Sequence, residues 1–167
     1  MANITIGNLN TPTNNSSSPS SSSSNGNNNN NNIMRGFAPV VIGVAGGTGC
    51  GKSSLAKRIL SGLGEENVTT LCHDFYYKDI SHLSLEERAK NNFDHPHALD
   101  TKLLVEHVEK LKRGESVEVP RYNFSTHSRE DITVLTKPKS IILVEGILIF
   151  TDPSLRKQMD IKIYVDT

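Results

Sequence analysis

Residues 46–53 read GGTGCGKS, and this short segment constrains the fold more than any other part of the sequence. It fits the pattern GxxxxGK[ST], with the apolar run 40–45 before it and the helix-forming run 54–60 after it. Strand, glycine loop and helix in that order let successive backbone N–H groups turn inward on an anion. Chance would give the pattern at only about 4 in 100,000 start positions. The segment therefore predicts a binding site for a nucleoside triphosphate.

The residue types of this loop predict which groups meet the nucleotide. Lys52 would reach the β- and γ-phosphates, and the hydroxyl of Ser53 would be a ligand of Mg²⁺. The expected cofactors are ATP and Mg²⁺. The predicted nucleotide-binding residues are Gly46, Gly47, Thr48, Gly49, Cys50, Gly51, Lys52, Ser53 and Ser54.

The first part of the chain has a different composition from the rest. Residues 8–32 consist almost wholly of Asn, Ser, Thr, Pro and Gly, and they include no charged residue. Such a segment has little apolar surface to bury against the entropy of ordering it. We predict a disordered Asn/Ser-rich tail over residues 1–36 and a folded domain that carries the phosphate loop (P-loop) over residues 37–167.

Charge and hydropathy exclude several function classes. The 18 basic and 18 acidic residues give a formal net charge of zero, which predicts no general attraction to nucleic acid or to anionic membranes. The apolar runs 40–45 and 141–150 are too short to span a bilayer. The N-terminus has neither a signal-peptide nor a transit-peptide pattern. A cytoplasmic protein is expected, and the two cysteines agree with a reducing compartment.

Alternating strand and helix patterns predict an α/β fold with a mostly parallel sheet flanked by helices. The expected strands are 40–45, 67–72, 141–146 and 161–166, and the expected helices are 54–60, 84–90 and 100–113. Segments 116–122 and 132–135 predict a hairpin or flap outside the main sheet, because Pro120 cannot donate within a central sheet. Ligands of parallel sheets bind at the carboxyl ends of the strands.

Three acidic residues, Asp74, Glu145 and Asp166, follow or end predicted strands. Transfer of a phosphoryl group to a hydroxyl needs a base near that hydroxyl and an acidic group that acts through Mg²⁺. Asp74 is the candidate base and, with Lys52, the candidate catalytic pair. Glu145 is a candidate Mg²⁺ ligand together with Ser53. Without the phosphate loop, a helix cap or a solvated turn would be the better explanation of Asp74, and a charged strand end would be the better explanation of Glu145.

Two later segments, 91–97 and 122–129, combine aromatic rings with hydrogen-bonding side chains. Aromatic faces can stack on a base, and polar side chains can read its edge or a sugar hydroxyl. Alone, each histidine or aromatic residue would be explained by packing. Beside a phosphate loop, the two segments predict loops that bind the acceptor.

Five motifs in order resemble the uridine-cytidine kinases, the phosphate-loop nucleoside kinases of pyrimidine salvage. The similarity runs from Val40 to Thr167. The matching segments are GVAGGTGCGKSS from Gly43, DFYY from Asp74, NFDHPHALD from Asn92, PRYNFSTHSR from Pro120 and VEGILIF from Val144, with IYVDT at the end.

This resemblance implies transfer of the γ-phosphate of ATP, or sometimes GTP, to the 5′-hydroxyl of uridine or cytidine, which yields UMP or CMP. By similarity, Asp74 would be the base and Asp94 would hold the ribose hydroxyls. The remaining implied substrate-binding roles are as follows: Tyr122 and His127 contact the pyrimidine, Phe93 and Phe124 wall the pocket, and Arg129 supports the acceptor loop.

The sequence departs from the family pattern at a few positions. Asn123 replaces a usual Asp, Phe75 replaces a common Ser, and Gly49-Cys50 replaces Ala-Ser. In the family, an arginine-rich lid, further helices and an edge strand follow the strand that 161–166 resembles. We therefore expect a kinase domain without the lid and last strand, and with an uncovered sheet edge that would favour aggregation.

Three functions remain open from the sequence. The first is a uridine-cytidine kinase, and the second is a truncated, weak or inactive remnant that binds nucleotide. The third is a related kinase that acts on a sugar phosphate, which the segment 122–129 favours less because such an acceptor would call for more basic residues. The expected partner is a small nucleoside, and the oligomeric state, homo-oligomer included, is left open.

Overall fold

The computed structural model describes residues 3–6 and 38–166. Five strands form one sheet, two form a separate hairpin, and four α-helices connect them. The strands are β1 (Asn3–Ile6), β2 (Val40–Gly46), β3 (Val68–Cys72), β4 (Val117–Asn123), β5 (Ser128–Thr136), β6 (Ile141–Gly146) and β7 (Ile161–Asp166). The helices are α1 (Lys52–Leu63), α2 (Leu85–Ala89), α3 (Thr101–Lys112) and α4 (Pro153–Gln158), with 3₁₀ turns at Glu65–Asn67, His73–Tyr76 and Pro96–Ala98.

The main sheet has the strand order β1-β7-β2-β6-β3. Strands β7, β2, β6 and β3 are parallel, which confirms the predicted α/β fold with flanking helices. The two central strands, β2 and β6, are also the two with the longest uninterrupted apolar runs, as expected for strands covered on both faces. Their carboxyl ends, with those of β3 and β7, meet at one edge of the sheet.

The outer edge of β7 is paired, which corrects the expectation of an uncovered edge there. Strand β1 lies antiparallel on β7, with Asn3 opposite Asp166 and Ile6 opposite Ile163. The predicted disordered tail therefore does not extend over residues 3–6, and the other residues of 1–36 lie outside the described residues. Backbone hydrogen bonding can order such a short segment when a strand edge is available, whatever its own propensity.

Helices cover both faces of the sheet. The two faces follow the alternation along each strand: in β6, Leu143 faces α1, while Ile142 and Val144 face α3 and α4. Burial of each such side chain contributes about 1.5–3 kcal/mol. Helix α4, which the sequence pattern did not predict, begins at the Asp152 cap. The residues on either side of it, Phe150 and Met159, pack close to β2, where Gly43 has no side chain.

The predicted hairpin is confirmed as β4 and β5, which form a two-stranded sheet of their own. The register shifts between Pro120 and Tyr122, where proline cannot donate to the ladder. The second strand begins at Ser128, earlier than predicted, so residues 124–127 form the tip of the hairpin. In the part of the chain that is described, no helix combines the length and the apolar character needed to cross a membrane.

Candidate active site

The loop between β2 and α1 has the backbone of an anion-binding turn. Gly49 and Gly51 have φ values of 79° and 93°, a region that side chains other than glycine rarely adopt. A Cβ at Gly46 would lie 2.5 Å from both the Cys50 sulfur and the Val165 carbonyl oxygen. The glycines thus allow both the turn itself and its close packing on β7.

The backbone N–H groups at the start of α1 donate no hydrogen bond to a capping side chain. Gly51 is its N-cap and makes no side-chain cap, and no acidic residue lies in the first turn. The N–H groups of this turn and its positive dipole end are therefore available to an anion. Lys52 is the first helical residue, and its Nζ donates only a long 3.5 Å bond to the Gly47 carbonyl oxygen. Gly47, Thr48, Ser53 and Ser54 are exposed beside it.

Two carboxylates lie at the carboxyl edge of the sheet, next to this loop. Glu145 is in β6, where it is in register with Val44 of β2 and Cys72 of β3. Asp74 follows β3 by two residues, in the 3₁₀ turn. Asp74 Oδ1 and Glu145 Oε2 are buried and have no hydrogen-bond partner among the described residues. Buried oxygens of this kind are normally satisfied, so both oxygens are available to a group that binds at this edge.

Nearby charges and burial together shift the pKa of Asp74. Burial raises the pKa of Asp74, the charge of Lys52 opposes that rise, and the carboxylates of Glu145 and Asp94 add to it. Lys52, Glu145 and Asp94 are therefore each close enough to Asp74 to influence its charge. A carboxylate with a raised pKa beside a lysine is suited to accept a proton near neutral pH.

The residues present fit a magnesium ion that is shared with a nucleotide. A hydroxyl from Ser53 and the unpartnered carboxylate oxygen of Glu145 are hard oxygen donors of the type that Mg²⁺ prefers. The described residues contain no group of three or more His, Cys, Asp or Glu side chains that could hold a metal.

Five aromatic side chains form what we call the aromatic shelf: Tyr77, Phe93, Tyr122, Phe124 and His127. The rings of Phe93 and His127 stack with centroids 5.0 Å apart and an interplanar angle of 21°. Tyr122 is buried, and its hydroxyl has no partner within the described residues. Phe124 is 53% exposed at the hairpin tip. The segments 91–97 and 122–129 are thus brought together, as the acceptor-loop hypothesis requires.

Asp94 and Arg129 occupy different positions around the shelf. Asp94 is exposed at the turn before Pro96, where its N–H donates to the Asn92 side chain at 3.1 Å. Arg129 donates from Nε and Nη2 to the Tyr77 carbonyl oxygen at 3.1 and 2.8 Å, and it lies 3.7 Å from the Asp100 carboxylate. These bonds suit the support of a loop more than direct contact with a substrate.

The sequence pattern did not single out Tyr77, although it lies at the centre of the shelf. Its ring packs edge-on against Phe93 and lies 5.1 Å from Tyr122, and its hydroxyl donates to the Phe93 carbonyl oxygen at 3.2 Å. Burial is the largest cause that raises its pKa to about 12, and the charge of Asp74 is the second. The only available signal was the aromatic run that follows Asp74.

Comparison with known proteins gives consistent results. The model of the Phosphoribulokinase / Uridine kinase family matches residues 41–167. The uridine kinase of Clostridium perfringens is 53% identical over 129 residues, which are 77% of this chain and 62% of that protein. The uridine kinase of Chloroflexus aurantiacus is 54% identical over the same shares. The chain spans about three fifths of the length of these curated relatives.

A solved structure supports the fold. The structure titled as a possible uridine kinase from Bacillus stearothermophilus superimposes with a TM-score of 0.62 and covers 79% of this chain and 73% of that one. Its sequence identity of 18% limits the likeness to the fold.

Proposed function

The chain belongs to the Phosphoribulokinase / Uridine kinase family, and on that premise we propose that it transfers the γ-phosphoryl group of ATP to the 5′-hydroxyl of uridine or cytidine. The products would be ADP and UMP or CMP, the reaction of pyrimidine salvage. The names of the curated relatives support a nucleoside acceptor. A cytoplasmic location belongs to the same proposal, in agreement with the two cysteines, which form no disulfide.

One observation carries the proposal: the buried, unpartnered oxygen Oδ1 of Asp74. Asp74 follows β3 at the edge of the sheet where the phosphate loop follows β2. Three residues later, Tyr77 is part of the aromatic shelf. The charge of Lys52 acts on Asp74 from the phosphate side, and that of Asp94 acts on it from the acceptor side. A base in this position would lie between the two substrates that the reaction must join.

The proposed reaction is a direct transfer from ATP to the 5′-hydroxyl. Asp74 accepts the proton of the 5′-hydroxyl while that oxygen forms a bond to the γ-phosphorus, and the bond from the γ-phosphorus to the β,γ-bridging oxygen breaks to release ADP. Lys52 and the first-turn N–H groups of α1 stabilise charge on the phosphates. Ser53 and Glu145 would hold a magnesium ion, which would supply positive charge to the phosphates.

The shelf supplies the acceptor pocket in this proposal. Phe93 and Phe124 would wall the base, while the Tyr122 hydroxyl and the His127 ring would meet its polar edge. Asp94, which is exposed, would accept hydrogen bonds from the ribose hydroxyls. Arg129 would hold the hairpin through Tyr77.

The test is direct: the purified chain is incubated with ATP, Mg²⁺ and uridine, and UMP is quantified. We expect UMP formation that the Asp74→Asn variant loses by about 10²-fold or more, while its affinity for ATP stays within about twofold. A Lys52→Met variant should lose ATP binding as well. Folded chain that binds ATP but forms no UMP would contradict the proposal and leave a nucleotide-binding function. Phosphorylation of a sugar phosphate in preference to uridine would contradict the acceptor assignment.

A further inference from the structure

Arg88 lies on α2, and its guanidinium joins two separate parts of the chain. Nε donates to the Leu83 carbonyl oxygen at 2.8 Å, and Nη2 donates to the Ser81 carbonyl oxygen. Nη1 donates to the Thr126 carbonyl oxygen at 3.2 Å, across a separation of 38 residues. The side chain therefore fixes the tip of the β4–β5 hairpin to the turn before α2.

The Thr126 carbonyl belongs to the peptide unit that leads into His127. Rotation of this unit changes φ of His127, which is 49° and is the only positive φ among the described non-glycine residues. That region is unfavourable for residues with a Cβ and persists only where surrounding contacts determine it. The charge-assisted bond from Arg88 is such a contact, because it holds the carbonyl that would swing away if φ relaxed.

The conformation of His127 matters because its ring is part of the aromatic shelf, stacked on Phe93. The side chain of Asn123 accepts hydrogen bonds from the Ser125 and Thr126 N–H groups, but these bonds leave the Thr126 carbonyl unrestrained. Arg88 is thus the side chain whose hydrogen bond holds the carbonyl oxygen of this peptide unit.

Two further observations link α2 to the shelf. Burial raises the pKa of the Tyr122 hydroxyl, and the charge of Arg88 opposes that rise, so the guanidinium lies near the shelf's buried phenol. At the start of α2, Ser84 and Glu87 form a complete capping box. A helix of five residues is unstable alone, and this cap keeps the base of Arg88 in place.

We propose that Arg88 is a positioning residue for the acceptor site: through the Thr126 carbonyl it sets the orientation of His127 and thereby the affinity for the nucleoside. This inference rests on the proposed function for its kinetic consequence, but not for its structural one. Arg88 does not contact the phosphate loop through any of its described hydrogen bonds, so its effect should be confined to the acceptor.

Steady-state kinetics tests the consequence. Arg88→Met should raise KM for uridine by about tenfold or more while KM for ATP changes by less than about twofold. Arg88→Lys should recover little, because one ammonium group cannot span three carbonyls as a guanidinium does. The control is Lys90→Met, which removes a positive charge from an exposed side chain two residues later. Equal changes in both KM values, or full activity of Arg88→Lys, would overturn the proposal.

A double-mutant cycle tests the route through residue 127. In a His127→Gly background the backbone no longer needs a restraint to hold a positive φ, and the ring is gone. Arg88→Met should then change KM for uridine by less than about twofold. The same large effect in both backgrounds would show that Arg88 acts in another way.

Hydrogen exchange provides a readout that does not depend on catalysis. In Arg88→Met, the amides of residues 125–128 should exchange about tenfold faster, while those of β2 and β6 should keep their rates. If the chain binds no uridine, the proposed function fails, yet the exchange rates still decide the role of Arg88. Unchanged exchange at the hairpin tip would overturn it.

Discussion

At the scale of single residues, the candidate site places function and stability in opposition. Asp74 is partly buried, one of its oxygens has no partner among the described residues, and Glu145 and Asp94 repel its charge. The charge of Lys52 opposes these effects. A carboxylate in such surroundings costs stability unless a ligand compensates it. Such a group points to a role in chemistry and not in stability.

We predict that Asp74→Asn raises the free energy of unfolding at pH 8 in the absence of ligands. Screening by solvent at this partly exposed site limits the gain to about 0.5–1 kcal/mol. The pKa of Asp74 is raised in the folded state, so its proton-bound form is favoured there, and the stability it contributes is lost as pH rises through that pKa. The gain from Asp74→Asn should therefore shrink towards pH 4.5.

Urea unfolding of both proteins at pH 8 and pH 4.5 measures this difference. Asp131→Asn, in the exposed part of β5, is the matched control and should shift the midpoint little at either pH. A lower midpoint for Asp74→Asn at pH 8 would show that Asp74 is a structural residue.

At the scale of elements, α1 offers a matched pair of glycines. Gly62 lies inside the helix, and an added Cβ would meet nothing within 4 Å. Gly64 ends the helix with φ of 83°, and a Cβ there would press on the Glu66 side chain. We predict that Gly62→Ala stabilises the protein by about 0.5–1 kcal/mol and that Gly64→Ala destabilises it by about 1 kcal/mol or more.

Thermal unfolding of the two variants checks this prediction, with circular dichroism at 222 nm as the signal. The midpoints should move in opposite directions from the wild-type value. A shift in the same direction for both would mean that the backbone of Gly64 relaxes without cost.

The sequence predicted the elements whose signals are local. β2 and β6 are continuous apolar runs, and Asp100 and Ser84 cap α3 and α2 as their patterns indicate. Helix α4 was missed because six residues carry too few periods to show amphipathicity, and packing of Leu155 stabilises it. Strand β1 was missed because its four residues are ordered by the edge of β7.

The same distinction holds for the candidate site. The phosphate loop could be predicted because its chemistry lies in eight consecutive residues. Tyr77 and Arg88 could not, because their roles depend on carbonyl oxygens that lie 16 and 38 residues away in the chain. Long-range contacts to backbone atoms leave no trace in the residue type of the partner.

At the scale of the whole molecule, two buried histidines join the sheet edge to α3. His73, in the turn after β3, bonds to the Thr101 hydroxyl at 3.1 Å, and His107 of α3 bonds to the Tyr76 hydroxyl at 2.9 Å. Burial lowers the pKa of His73 to about 4, against a smaller opposing effect of Asp152. Burial and the charge of Lys110 lower the pKa of His107. The charges of Glu106 and Asp100 raise this pKa, and the charge of Arg129 lowers it slightly. Both rings are thus held neutral in the folded state.

We therefore predict that the free energy of unfolding falls with pH already above the pKa range of ordinary carboxylates. Between pH 6.5 and about 4, unfolded His73 binds a proton that the folded ring resists, so stability falls as pH falls through this window. Each such proton costs up to about 1.4 kcal/mol per pH unit.

His73→Gln should flatten the dependence of the free energy of unfolding on pH between 6.5 and 5, although its value at pH 7 is expected to be lower. His82→Gln, at an exposed ring, should leave the slope unchanged. Urea unfolding at pH 7, 6 and 5 gives the three slopes, and parallel curves for wild type and His73→Gln would mean that the folded protein accommodates the charged ring.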